Sequence, residues 1–302
     1  MKKLFKLLKI AFPLILFSLL FLNIYQNWNE VKIYFEEIRL LWLIASCMVA
    51  LLIYPQAALI WHLLTKSFQE KISFRHNLYI FIISNTSRYI PGTVWQYIGR
   101  VELGKRIGNL QRKKTLVMIV YEVFLLLLGA GTLSLLNFSG AFVKNLGITS
   151  LIIIFFLSLL AFHPSVLNFC IKFLVSISKN KITLPELKFN SGKLIFTYLA
   201  VLVNFILNGL ALLFLYFAFN QNLNYGHFLF FTSAYAFSWA LGFITPIAPA
   251  GFGVVEVSLA LTLSGIMPLT LASAIAISFR FISTLVEMLT FLFVLKISYE
   301  KK

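Results

Sequence analysis

The sequence predicts an all-α, polytopic integral membrane protein that forms a single transmembrane domain over residues 1–302, and three observations carry that prediction. Hydrophobic residues make up 60% of the chain and charged residues 12%, with a mean hydropathy of +0.90. A soluble domain is nearer to about 25% charged. The apolar residues fall in runs close to the about 20 residues that a helix needs to cross the hydrocarbon core. The basic residues fall in short clusters between those runs, on alternate connections.

Taken in order, the apolar runs are 9–27, 40–63, 115–137, 148–171, 194–219 and 269–295. The first follows Met1-Lys2-Lys3 and imitates a signal peptide. It ends in Leu22-Asn23-Ile24-Tyr25, without a small-residue cleavage site, and so reads as an uncleaved first span. Two further stretches are interrupted. Segment 77–99 contains Arg88 and Pro91-Gly92, and segment 227–266 is broken at Pro246 and Pro249. With these two included, the chain has about 7–8 membrane helices.

The clusters Lys2–Lys9, Lys66–Arg75, Arg100–Lys114, Lys172–Lys193 and Lys296–Lys302 hold 21 of the 26 Lys and Arg. The alternate connections around 28–39, 138–147 and 220–226 hold only Lys32, Arg39 and Lys144. Cytoplasmic loops collect basic residues, so this bias places both termini in the cytoplasm, and the plasma (inner) membrane is the expected location. It also places both ends of 77–99 on the cytoplasmic side. Too short to cross twice, that segment is expected to enter, turn at Pro91-Gly92 and return. By the same count 227–268 starts and finishes outside, as a re-entrant hairpin or as two short crossings that meet at Pro246–Gly253. Broken backbone at membrane depth survives only where it is buried in protein or lines a wet cavity. The breaks also share a pattern: Ile90-Pro91-Gly92 precedes Gly99-Arg100-Val101-Glu102, as Thr245-Pro246-Ile247 precedes Gly253-Val254-Val255-Glu256. Two broken segments of opposite topology point to an inverted repeat with a substrate site between the halves.

Composition also excludes functions. A net charge of +16 on a soluble surface would suggest nucleic acid, but here it marks loop orientation, with anionic lipid headgroups as a further use. The chain has no Asp, which removes aspartyl-phosphate pumps and Asp-rich metal-dependent transferases. Cys47 and Cys170 lie in apolar runs, and His62, His76, His163 and His227 lack ligand spacing, so no metal is expected. No Gly-x-x-x-x-Gly-Lys loop occurs, and no cofactor is implied.

Charges inside spans are costly and are functional candidates by default. They are Arg88, Glu122, Glu256, Arg280 and Glu287, with Arg100 and Glu102 at a boundary. Arg280 and Glu287 lie seven apart and share a helix face. Glu256 is the expected partner of Arg280, and Glu122 that of Arg88, while Glu287 falls toward the cytoplasmic end. Two readings stand at this point. In one, Arg88 and Arg280 bind phosphate through their bidentate guanidinium groups. In the other, the pairs fix helix register. A half-helix starting after Pro249-Ala250-Gly251 would add backbone N–H groups and a positive dipole end. The polar stretch Ser84-Asn85-Thr86-Ser87-Arg88-Tyr89 suits a hydrated cavity or a surface loop.

The run Ser87-Arg88-Tyr89-Ile90-Pro91-Gly92-Thr93-Val94-Trp95, continuing to Gly99-Arg100, resembles the lysylphosphatidylglycerol synthase transmembrane (flippase-like) family. So do Pro246-Ile247-Ala248-Pro249-Ala250-Gly251-Phe252-Gly253-Val254-Val255-Glu256 and the run through Ala272, Ala274 and Ala276 to Arg280. Ala250 departs from the Gly expected between Pro249 and Gly251. The two-domain members carry a cytosolic aminoacyl transferase, and no such domain is expected within residues 1–302. The resemblance implies lipid handling rather than aminoacyl transfer, with Arg88, Pro91, Gly92, Arg100, Pro249, Gly251, Gly253, Glu256 and Arg280 around the lipid headgroup. Glu102, Glu122 and Glu287 are the charge partners available to it. The expectation is a translocase for a lipid with an anionic phosphate headgroup, such as a phospholipid or polyprenyl-linked envelope lipid. The alternatives are a membrane-embedded enzyme acting on a lipid phosphate, or a non-transporting partner of envelope-biosynthesis enzymes.

Overall fold

Helix formation follows from the composition, because a backbone in hydrocarbon must satisfy every N–H and C=O within the segment. The computed structural model describes residues 18–90, 94–135, 191–219, 227–245 and 248–299, and among these it is all-helical. Residues 18–26 are helical and lead into α1 (Trp28–Glu36). Four long helices follow the predicted runs: α2 (Leu40–Ser67), α5 (Arg112–Leu135), α6 (Ser191–Ala218) and α9 (Leu269–Tyr299). At about 1.5 Å per residue each exceeds the about 30 Å of a bilayer core. Among the described residues these four are long and apolar enough to cross a membrane. The predicted span 148–171, and positions 9–17 of the first, lie outside the described residues.

The two interrupted segments form shorter helices. The first gives α3 (Phe74–Asn85), a 3₁₀ turn at Thr86–Tyr89, and α4 (Trp95–Gly108). The second gives α7 (Phe228–Ile244), a 3₁₀ turn at Pro249–Gly251, and α8 (Val254–Leu263). Lengths of 12, 14, 17 and 10 residues correspond to about 15–26 Å, short of a full crossing. α3 packs on α4 and α7 packs on α8, so each break is a helical hairpin. The two 3₁₀ turns touch each other.

Local signals set the ends of the first hairpin. Ser73 Oγ accepts from the His76 N–H at 3.4 Å and caps α3. Asn109 takes a left-handed φ of 53°, Leu110 N–H returns to Gly104 C=O at 3.0 Å, and Lys105 and Arg106 occupy the last turn of α4.

The hairpins approach from opposite ends of the bundle. Lys114 Nζ lies 2.5 Å from Glu70, and Arg75 Nη2 donates to Ile297 C=O at 3.0 Å. Ser67 meets Thr197 at 3.5 Å. These contacts gather the end of α2, the open end of the α3–α4 hairpin, the starts of α5 and α6, and the end of α9. Lys66, Lys71, Arg75, Lys105, Arg106, Arg112, Lys113, Lys114, Lys193 and Lys296 belong to this basic end. At the opposite end Arg39 N–H donates to Ala218 C=O at 2.8 Å, and Tyr216 meets the His227 ring edge-on at the start of α7. The core runs between: α2 packs along α6, and α9 touches α2, α3, α6 and α8. Gly209 of α6 lies so close to α7 that a Cβ there would meet the Thr232 backbone.

Candidate functional site

Where the two turns meet, the helices leave a cavity of about 290 Å³. Arg88 of the first turn, Ala250 and Gly251 of the second, and Arg280 of α9 line it. The second turn owes its shape to three special positions within four residues. Ala250 (φ 52°) and Gly251 (φ 68°) are left-handed, and Gly253 (φ 82°) starts α8. Gly251 also lies against Gly242 of α7, where a side chain on either would crowd the other element. Pro249 opens the turn.

Three ion pairs surround the cavity. Arg280 Nε lies 3.0 Å from Glu256 Oε1, as the sequence suggests, and its Nη2 donates to Ala250 C=O at 3.1 Å. Its guanidinium lies 5.7 Å from the Phe252 ring. The expected pair of Arg88 with Glu122 does not form. Arg88 Nη2 instead donates to Glu287 Oε2 at 2.5 Å, and Glu122 takes Arg100. Glu287 is therefore no end-of-helix residue; it is 3% exposed and two turns beyond Arg280 on the cavity side of α9. Glu102 is a second correction: it lies on the outside of α4, held by Arg106 at 3.1 Å and Arg112 at 2.8 Å. Gly99 sits inside α4, so the paired Gly-x-x-Glu pattern has no common structural role, although both breaks themselves are hairpin turns.

The three arginines differ in what they can offer. Arg100 is 2% exposed; its guanidinium carbon lies 5.0 Å from the Trp61 ring and 4.5 Å from the Phe81 ring. Its Nε donates to Ser84 Oγ at 3.3 Å. Aromatic faces, a hydroxyl and a carboxylate hold it as a packing element. Arg88 and Arg280 keep 26% and 16% of their side chains exposed and have N–H groups left over for an incoming oxygen.

Glu256 corrects the expectation of a bare half-helix end. Its Oε2 accepts from the Gly253 N–H at 2.6 Å, so the negative charge at the start of α8 is the protein's own. Pro91 and Gly92 lie outside the described residues. Sequence reasoning missed Tyr54, Asn204, Asn208 and Tyr235, all of which line the cavity. Asn204 Nδ2 donates to Ile53 C=O at 3.1 Å and to Gln56 Oε1 at 3.2 Å, and Asn208 Nδ2 donates to Asn204 C=O at 2.9 Å. Two Asn four apart in an otherwise apolar helix were a readable signal. Tyr54 and Tyr235 gave none, because Tyr in an apolar run reads as core.

The architecture defines a class: a helical membrane protein with two opposed hairpins meeting tip to tip at a cavity of paired charges. Within that class the chain belongs to the family described as the lysylphosphatidylglycerol synthase TM region, whose model matches residues 7–290. No curated protein matches the chain.

Proposed function

We propose that the chain is a non-enzymatic translocase that moves a lipid with an anionic phosphate headgroup between leaflets. The observation that carries the reading is the meeting of the two hairpin turns at a cavity where Arg88 and Arg280 both retain free donors. Opposed broken helices at mid-depth are how many transporters build a site reachable from either side. Guanidinium groups suit phosphate oxygens, and the neighbouring Asn side chains offer hydrogen bonds to the rest of a headgroup. The basic end of the bundle faces the cytoplasm in this reading, with both termini there and the protein in the plasma (inner) membrane. Envelope-biosynthesis enzymes are the natural suppliers of its lipid.

The test is movement of fluorescent phospholipids in proteoliposomes. Arg88→Ala and Arg280→Ala are expected to abolish it while both variants still insert and extract normally. Undiminished movement in both would sink the assignment. Sidedness is tested by replacing Cys47 and Cys170 with Ser and placing single cysteines at the exposed Lys71, at the basic end, and Glu37, at the opposite end. An impermeant thiol reagent is expected to reach Lys71→Cys from the cytoplasmic side and Glu37→Cys from the other.

A further inference from the structure

Resting on that reading, we infer that the carboxylate of Glu287 occupies the phosphate position of the site when no lipid is bound, and that a phosphate group binds by displacing it. The argument begins with what converges on Glu287. Asn85 Nδ2 donates to Oε1 at 2.9 Å; Arg88 Nη2 and the Tyr89 hydroxyl each donate to Oε2 at 2.5 Å. The Tyr54 hydroxyl reaches Oε2 at 3.4 Å while also donating to Ser283 C=O at 2.9 Å. One carboxylate thus collects three side-chain donors, all from the stretch 85–89 at the first turn, with the Tyr54 hydroxyl beside them. A nest of donors carried almost wholly by one hairpin is an anion site in its own right, filled here by a residue from another helix.

A second observation points to a larger anion. Arg88 Nε is buried and has no hydrogen-bond partner. A carboxylate presents two oxygens in one plane, and here they are taken up by Asn85, Arg88 Nη2 and Tyr89. A phosphate presents more oxygens in a tetrahedral array, enough to keep those donors and reach Nε as well. Tyr54, Asn85, Arg88 and Ser283 all line the cavity, so an incoming group reaches the donors that hold Glu287 from the open side. Exchange of one anion for another keeps Arg88 paired throughout, which avoids burying a lone guanidinium. It also unties the first hairpin from α9, so that lipid arrival is felt as release of a helix contact.

Inorganic phosphate is the probe. The full chain is purified in an uncharged detergent without phosphate, and its melting temperature is followed as phosphate is added at constant ionic strength set with chloride. Glu287→Ala is expected to melt lower than the parent and to recover most of that loss in phosphate, with a rise at least threefold that of the parent. Arg88→Ala/Glu287→Ala is expected not to recover. If Glu287→Ala does not fold, Glu287→Gln undergoes the same titration with the same expectation. Recovery by micelles doped with phosphatidylglycerol, in place of phosphate, identifies a lipid headgroup as the source; recovery by phosphate alone identifies a free anion site. A melting temperature indifferent to both, or equal recovery in the double variant, overturns the inference. Loss of lipid movement in Arg88→Ala alongside such indifference would leave the translocase reading standing. Phosphate recovery in a protein that moves no lipid would do the reverse.

Discussion

Glu256 serves Arg280 and its own helix at once: Oε1 lies 3.0 Å from the Arg280 Nε, while Oε2 accepts from the Gly253 N–H at 2.6 Å. The two roles separate by substitution. Glu256→Ala strips the cap and leaves the half-buried Arg280 guanidinium without its carboxylate, a loss of about 2–4 kcal/mol. Glu256→Gln keeps an acceptor for Gly253 and is expected to lose distinctly less. Thermal unfolding in detergent reads the difference, and equal losses would show that the cap contributes nothing.

Arg100 and Glu122 are assigned to packing, and that assignment has its own signature. Arg100→Leu alone leaves Glu122 buried without a partner and is expected to cost about 3–5 kcal/mol. Arg100→Leu/Glu122→Leu removes both charges and is expected to regain most of that stability. A double variant as unstable as the single one would argue that the pair does more than hold α4 to α5.

Ala250 sits at φ 52°, a conformation that costs a residue with a Cβ about 1–2 kcal/mol. Ala250→Gly removes that strain and adds chain entropy to the unfolded state, for a net gain of about 0.5–1 kcal/mol. The check is a higher melting temperature with the Arg280 contact to the residue 250 carbonyl retained.

Two glycines in long helices give opposite expectations. Gly209→Ala drives a methyl into the Thr232 backbone where α6 meets α7, and overpacking of this kind costs about 1–3 kcal/mol. Gly131→Ala in α5 meets nothing within 4 Å and is expected to gain about 0.5–1 kcal/mol from helix propensity. Parallel melts of the two variants decide it.

The long helices were legible because hydrocarbon demands a run of apolar residues, and α2, α5, α6 and α9 each have one. The breaks were legible because Pro91-Gly92 interrupts a stretch with a basic cluster at each end, and Pro246 and Pro249 interrupt one with a basic cluster at neither. Arg280 with Glu256 was readable as well, since the second break leads directly into α9. Arg88 with Glu287 was not. Their contact spans 199 positions and depends on α9 passing behind the first turn, which no local pattern encodes. Glu122 is nearer in sequence, but Arg100 reaches it from α4 because Trp61 and Phe81 clamp its guanidinium there. Glu102 shares a spacing with Glu256 and nothing else, because a short motif does not say which helix face turns outward.

That Arg280 and Glu287 both belong to α9 bears on how the protein is made. The hairpins holding Arg88 and Glu256 are synthesised first, and their counter-charges arrive with the last of the four long helices described. A nascent chain stalled before Leu269 would carry a lone cation and a lone anion at membrane depth, each disfavoured by about 2.5–3.5 kcal/mol. The charges of both hairpins are therefore neutralised only once α9 is in place.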